Sequence, residues 1–173
     1  MTLQDYLDYF TEIATNHKLI GHTEQMRHVF RVDVHELSTS LRSGVHWPLL
    51  GIETPILSSM GNSYANPRWV YNGAILILEK ASDKYYTTQV TLTDDKTLGI
   101  AKDIVAKMIK DRKDWDSTQK AFVLQGLELG SFDLETVPLG FGDFKGWRLS
   151  FQFNEPMPRF DISKWNNETN ASL

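Results

Sequence analysis

Five histidines are the most closely clustered chemistry-bearing residues of this 173-residue chain, and all fall in its first third. Neutral imidazoles bind zinc, and Glu24, Asp33 and Glu36 lie nearby in sequence as further ligands. No two histidines have the four-residue spacing that places a pair on one helical face around a catalytic glutamate. We interpret them as surface or capping residues. A small metalloenzyme that depends on His22 and His28 remains an alternative. The five are His17, His22, His28, His35 and His46.

Other catalytic signatures are missing from the sequence. The absence of cysteine excludes disulfides, thiolate zinc sites and cysteine nucleophiles. Ser38, Ser40 and Ser43 lack the glycines of a nucleophile elbow. Gly140-Phe-Gly142 lacks the third glycine and following helix of a dinucleotide loop, which indicates a turn. We therefore predict a protein that is not an enzyme, with no catalytic residue, no metal and no cofactor.

Composition is typical of a soluble globular domain, with 41% hydrophobic and 23% charged residues. A net charge of -4 argues against a general nucleic-acid binder, which would carry a basic stripe. The longest wholly aliphatic run, Ala74 to Leu78, is far shorter than the roughly 20 residues of a membrane helix. The N-terminus has an acid where a signal peptide carries basic residues. We expect synthesis in the cytoplasm and no membrane partner.

The first third of the chain predicts two helices. Apolar residues from Leu3 to Ala14 recur at helical spacing, with Thr2 and Asp5 as caps and an end near Asn16. Asp33 and Glu36 have the spacing of a capping box, which favours a short helix from Asp33 to Ser43. A strand is the competing interpretation, because Phe30, Val32 and Val34 alternate.

The middle of the chain predicts strands around a long polar connection. We expect a strand from Trp47 to Ile52, an irregular stretch from Glu53 to Arg68, and a central strand from Trp69 to Leu78. Tyr85 to Leu92 is expected to pair beside it. A long amphipathic helix should follow from Asp94 to Trp115.

Charges on this helix also carry expectations. Asp94 and Asp95 would lie at its positive N-terminal end, and Asp103 would pair with Lys107 one turn later. Its apolar stripe should hold the helix on the sheet, since propensity and surface pairs are weak. The stripe comprises Leu98, Ala101, Ile104, Val105, Met108 and Arg112.

Three final strands are predicted at Ala121–Glu128, Ser131–Val137 and Gly146–Asn154, with turns at Gly130 and at the glycines from 140 to 146. The whole pattern predicts an α+β fold: a single, mainly antiparallel sheet of five or six strands, packed by one long helix and one or two shorter ones. We expect one domain over residues 1–155 and a C-terminal tail over 156–173.

Aromatic residues suggest contacts with other chains. Trp69 and Tyr71 follow the polar connection, while Phe160 and Trp165 lie in a tail too short to form its own core. Either the tail folds back onto the domain, or it anchors in a neighbouring subunit, since buried aromatic residues dominate interface energetics.

An acidic hairpin is the clearest charge asymmetry. Residues 121–144 contain no lysine or arginine, but they carry Glu128, Asp133, Glu135 and Asp143. Such a patch is either a solvated face or, in a closed ring of identical subunits, the lining of a pore that repels a passing polyanion.

Several stretches together resemble a family of structural proteins from phages and prophages of the Bacteroidetes. They include His28–Asp33, His46–Glu53, Asn72–Lys80, Gly146–Phe153 and Asp161–Trp165. The order of elements also resembles that of tail-terminator and neck proteins of long-tailed phages.

This resemblance implies a virion structural protein, located in the virion and assembled in the bacterial host cytoplasm. It implies a hexameric ring at the end of the tail tube as tail terminator or head–tail joining protein. Its partners would be its own copies, the tail tube protein and the neck or head-completion proteins, with DNA passing through unbound. The alternative within this class is another tail component, a tube or baseplate subunit.

Overall fold

The computed structural model describes residues 2–32, 44–60, 67–80, 87–114, 124, 126–137 and 144–157. Within them lies a six-stranded sheet with two helices packed on one face. All strand pairs are antiparallel except one. The predicted α+β class, with its mainly antiparallel sheet, is confirmed.

Helix α1 (Leu3–Asn16) begins with the predicted cap. The Thr2 hydroxyl accepts the backbone N–H of Asp5 at 3.1 Å, and the Asp5 carboxylate accepts the backbone N–H of Thr2 at 2.8 Å. This reciprocal pair satisfies two donors that a helix start leaves without partners. One face of the helix is buried against the sheet, through Tyr6, Tyr9, Phe10, Ile13 and Ala14.

The centre of the sheet is formed by strands β4 (Arg68–Lys80) and β6 (Phe144–Pro156). They pair antiparallel along their full length, from Arg68 opposite Pro156 to Lys80 opposite Phe144. The predicted central strand and the predicted alternation of the last strand are both confirmed. Gly146 lies inside β6, so the prediction of a turn at this glycine is wrong.

The other edge of β4 is shared by two consecutive strands. Strand β2 (Leu49–Glu53) pairs with the second half of β4, and β3 (Ile56–Met60) pairs with its first half. The prediction of an irregular connection from Glu53 to Arg68 is therefore wrong over Ile56–Met60, while residues 61–66 lie outside the described residues. Strand β4 is 13 residues long, and β2 pairs with only part of its edge. The remaining part of the edge offers main-chain hydrogen bonds to β3, which is only modestly hydrophobic.

Two shorter strands complete the sheet. Strand β1 (Val29–Val32) pairs parallel to β2, and β5 (Asp133–Thr136) pairs antiparallel to β6. The strand interpretation of the 30–34 region holds as far as Val32, while the predicted helix from 33 to 43 lies outside the described residues. Gly130 lies in a turn, as predicted.

The strand predicted at 121–128 is wrong in its described part. Leu124 lies in a 3-10 turn, and Leu127 makes only an isolated bridge to Phe153. Both side chains are nevertheless fully buried in the core.

Helix α2 (Thr87–Lys113) starts earlier than predicted, so the strand expected over 85–92 is wrong from Thr87 onward. Asp94 and Asp95 consequently lie inside the helix and not at its N-terminus. The buried Thr97 hydroxyl donates to the carbonyl oxygens of Thr93 (2.8 Å) and Asp94 (3.1 Å), which satisfies a polar group within the helix.

The ion pairs of α2 also differ from expectation. Lys107 pairs with Asp111 instead of Asp103, and Asp111 also accepts the Tyr9 hydroxyl at 3.0 Å. Asp103 lies 3.4 Å from His17 Nε2. The predicted stripe holds at Ala101, Ile104 and Met108, which are fully buried together with Ile100, while Leu98, Val105 and Arg112 are half-buried.

The main core lies between the helices and what we call the helical face of the sheet. It combines both helices with Leu50, Ile75, Ile77, Leu149 and Phe151. The opposite, second face carries a smaller cluster centred on Val32, Leu49, Leu76 and Leu78. Within the described part of the chain, neither helix has the length and apolar character needed to cross a bilayer.

Candidate assembly surface

Strand β3 is one of three described strands with a single described partner, together with β1 and β5, and it is the one of the three that carries no charged residue. Its Ile56 side chain is 71% exposed and Leu57 is 47% exposed. Ile56 lies opposite Asn72 on the second face, whereas Leu57 lies opposite Tyr71 on the helical face. The strand has no charged residue to discourage pairing with another strand. An edge without such charges is prone to add a strand from another chain.

Trp69 and Tyr71 lie in β4 directly beside this edge, opposite Ser59 and Leu57 of β3. Both are half-buried, and Tyr71 packs against the main core. Burial and the hydrogen bond to Glu155 raise the pKa of the Tyr71 phenol. Their predicted role as interface residues stays a prediction.

Arg148 organises the polar part of the second face. From β6 its Nε and Nη2 donate to both oxygens of Glu53 on β2, at 2.7 and 2.9 Å, over the intervening strand β4. Its Nη1 donates to Glu135 on β5 at 2.8 Å. The Glu53 hydrogen bond is the main cause of a raised pKa of Arg148, opposed by burial. One guanidinium thus links three strands, β2, β6 and β5, across the second face of the sheet.

A groove of about 240 Å³ lies beside Arg148. Asn72 spans it by donating to the Ile56 carbonyl and the Ser58 hydroxyl, both at 3.3 Å, and by accepting from Gln152 at 3.0 Å. Its amide is therefore satisfied within the chain. The lining is made of Glu53, Thr54, Ile56, Asn72, Gly73, Ser131, Arg148, Ser150, Phe151 and Gln152.

Three of the four predicted pore-lining acids are described, and all are exposed. Glu135 is paired with Arg148, a partner that the acidic run of sequence does not contain. Glu128 accepts the Asn154 side-chain amide at 2.6 Å, and Asp133 lies opposite Ser150. The acids gather toward the second face, as a shared surface would require. Whether they line a pore stays a prediction, and Asp143 lies outside the described residues.

Three of the clustered histidines meet at the junction of α1, β1 and β2. His22 Nδ1 accepts the backbone N–H of His28 at 3.1 Å, and His28 Nδ1 lies 2.8 Å from the Pro48 carbonyl. The ring of His46 is 5.5 Å from that of His28. These bonds occupy one nitrogen of each of the first two rings, and in a neutral ring His22 Nε2 must carry the proton.

Across the described ranges, no three histidine, aspartate or glutamate side chains are arranged to hold an ion. His35, Phe160 and Trp165 lie outside the described residues, as does the tail from 158 onward, so the docking prediction for that tail stays a prediction.

Sequence reasoning missed two parts of this surface. The signal for β3 was a short apolar pair, Ile56-Leu57, set between Pro55 and Gly61. The Arg148–Glu53 pair had no local signal, because 95 residues separate its members. No protein-family model, no curated protein and no solved structure matches this chain.

Proposed function

We propose that this protein is a virion structural protein of a tailed phage that closes into a ring as tail terminator or head–tail joining protein. The observation that supports the proposal best is the edge of β3, which presents exposed Ile56 and Leu57 without a charged side chain. A second strand added to this edge would satisfy main-chain groups and cover apolar side chains on both faces of the sheet.

Identical subunits joined head to tail form a closed ring when the rotation between neighbours divides a full turn. A β3 edge that pairs with a different surface of the next copy is such a contact. Among the described residues, α1 and α2 bury the main core on the helical face, whereas the β3 edge and the second face keep exposed side chains that a partner could contact. The acids near Arg148 would then face neighbours or the channel, where they would repel DNA.

The ring is tested by light scattering and negative-stain imaging of the purified protein. We expect a closed ring with about six times the 19.9 kDa mass of one chain. Long filaments would favour a tube or baseplate subunit. A protein that stays monomeric at high concentration and does not co-sediment with tail tubes would contradict the proposal.

The edge is tested by Leu57→Glu, which places a charge where the added strand must pack. We expect this variant to remain folded by circular dichroism and to lose the ring, because an inserted charge must be desolvated on pairing. Leu129→Glu is the matched control, since Leu129 is also 47% exposed but lies outside β3. Equal assembly of the two variants would show that β3 is not the interface.

A further inference from the structure

The hydrogen bond between His22 and His28 depends on the charge of one imidazole. His22 Nδ1 accepts the backbone N–H of His28 at 3.1 Å. A ring nitrogen accepts a hydrogen bond only while it is unprotonated, and imidazole is the side chain that changes charge between about pH 5 and 8. Protonation of His22 would place its Nδ1–H against the backbone N–H of His28, so that two donors would face each other.

The acceptor ring is fixed at one end of α1. The backbone N–H of His22 donates to the carbonyl of Ala14 in the last turn of α1 at 3.1 Å. The turn between them reverses at Gly21, whose φ is +63°, a conformation that glycine adopts readily. His22 therefore moves with the helix and with the core that the helix covers.

The donor residue is fixed at the start of an edge strand. The His28 carbonyl accepts the N–H of Leu50 at 2.7 Å, beside the parallel pairing of β1 with β2. The preceding Arg27 carbonyl accepts the N–H of His46 at 2.8 Å. His28 itself is only 6% exposed. One imidazole thus connects the end of α1 to the point where β1 joins the sheet.

The charges around His22 oppose its protonation. Burial is the largest cause of its lowered pKa, followed by electrostatic interactions with His28 and Arg27. The ring centroid of His46 is 5.5 Å from that of His28, and α1 contributes the Ala14 carbonyl as the acceptor of the His22 backbone N–H. A lowered pKa in the folded state means that stability is full above about pH 6.5 and is lost as pH falls through the folded-state value.

We propose that His22 is an acid-sensitive switch whose protonation breaks its bond to His28 and loosens the junction of α1 with strand β1. The switch rests on contacts within one chain and is independent of ring formation. The loosening should stay local to this junction, since β1 pairs only with β2 among the described strands.

The experiment compares the wild-type protein with His22→Asn at about pH 7.5 and about pH 5. The asparagine side-chain oxygen takes the place of Nδ1 as an acceptor but does not titrate. On acidification the thermal midpoint of the wild type should fall about 2–4 °C further than that of the variant. Hydrogen exchange of peptides over 22–28, corrected for intrinsic rate, should become roughly fivefold faster in the wild type alone.

His17→Asn is the matched control. His17 Nδ1 also accepts a backbone N–H, from Leu19 at 3.3 Å, but its Nε2 lies 3.4 Å from the Asp103 carboxylate. We expect this variant to keep the acid-dependent loss at 22–28. Parallel acid responses of wild type and His22→Asn, in midpoint or in exchange, would overturn the proposal.

Discussion

The two faces of the sheet are stabilised in different ways. On the helical face, aromatic rings pack edge-to-face or stacked. The ring centroids of Phe10 and Phe151 are 5.4 Å apart, and those of Tyr6 and Phe10 are 5.1 Å apart. On the second face, Arg148 crosses the strands with charged hydrogen bonds to Glu53 and Glu135. Apolar burial is the larger and less directional term, whereas partly exposed ion pairs contribute little. We infer that the helical face supplies most of the stability.

The largest difference between the faces should appear at two adjacent residues of β6. Phe151 is 1% exposed on the helical face, and Gln152 is exposed on the second face. Phe151→Ala should lower the free energy of unfolding by about 3–5 kcal/mol through lost burial and a cavity. Gln152→Ala should cost less than about 1 kcal/mol. Urea unfolding measures both, and similar losses would refute the contrast.

Two glycines provide a sharper comparison, one on each face. A methyl group at Gly73 would come within 2.5 Å of the Phe151 ring and 2.9 Å of the Tyr6 hydroxyl, both fully enclosed. At Gly51 it would meet Val32 at 2.7 Å and the half-buried Phe30 at 3.2 Å. Gly73→Ala should cost about 1–3 kcal/mol.

Gly51→Ala should cost less, because both of its closest contacts are longer than those at Gly73 and one of them, Phe30, is only half-buried. Thermal unfolding of the two variants under the same conditions tests the order. A greater loss for Gly51→Ala would indicate that the second face is packed as tightly as the helical face.

The smallest effect is expected at the ion pairs of the second face. Arg148→Met should cost about 1 kcal/mol, since the Arg148 and Glu53 side chains are still 35% and 27% exposed to water. Lys110→Met is the matched control, because its pair with Asp114 is longer, 3.9 Å, and more exposed. We expect almost no change there. A double-mutant cycle with Glu53→Gln isolates the Arg148 pair, and a coupling of zero would exclude a structural role for it.

Local signals predicted the parts of the fold that local contacts determine. The Thr2–Asp5 cap and the alternation of β6 are both visible over a few residues, and both predictions are confirmed. The start of α2 was not predictable in this way. Threonines at 87, 88, 91 and 93 favour a strand by propensity, yet the segment is helical. Packing of the helix on the sheet outweighs preferences of a few tenths of a kcal/mol per residue.

The candidate surface was less accessible to such reasoning. The exposed edge of β3 exists because β2 pairs with only four of the 13 residues of β4, and this depends on strand lengths and register. Likewise, the acidic run from 121 to 144 looked uncompensated because Arg148 lies beyond it in sequence. Charge balance on a sheet face is set by neighbours across strands, which a linear pattern does not reveal.

The pairing of β4 with β6 has a consequence for how the chain is made. Ile75 of β4 pairs with Leu149 of β6, and the whole of α2 is synthesised after the first residue and before the second. A ribosome adding about 5–20 residues per second leaves one long side of β4 bare for several seconds. Such a nascent chain is prone to aggregation until its synthesis is complete. Its yield in the producing cell should therefore depend on chaperones that shield β4 until β6 is synthesised.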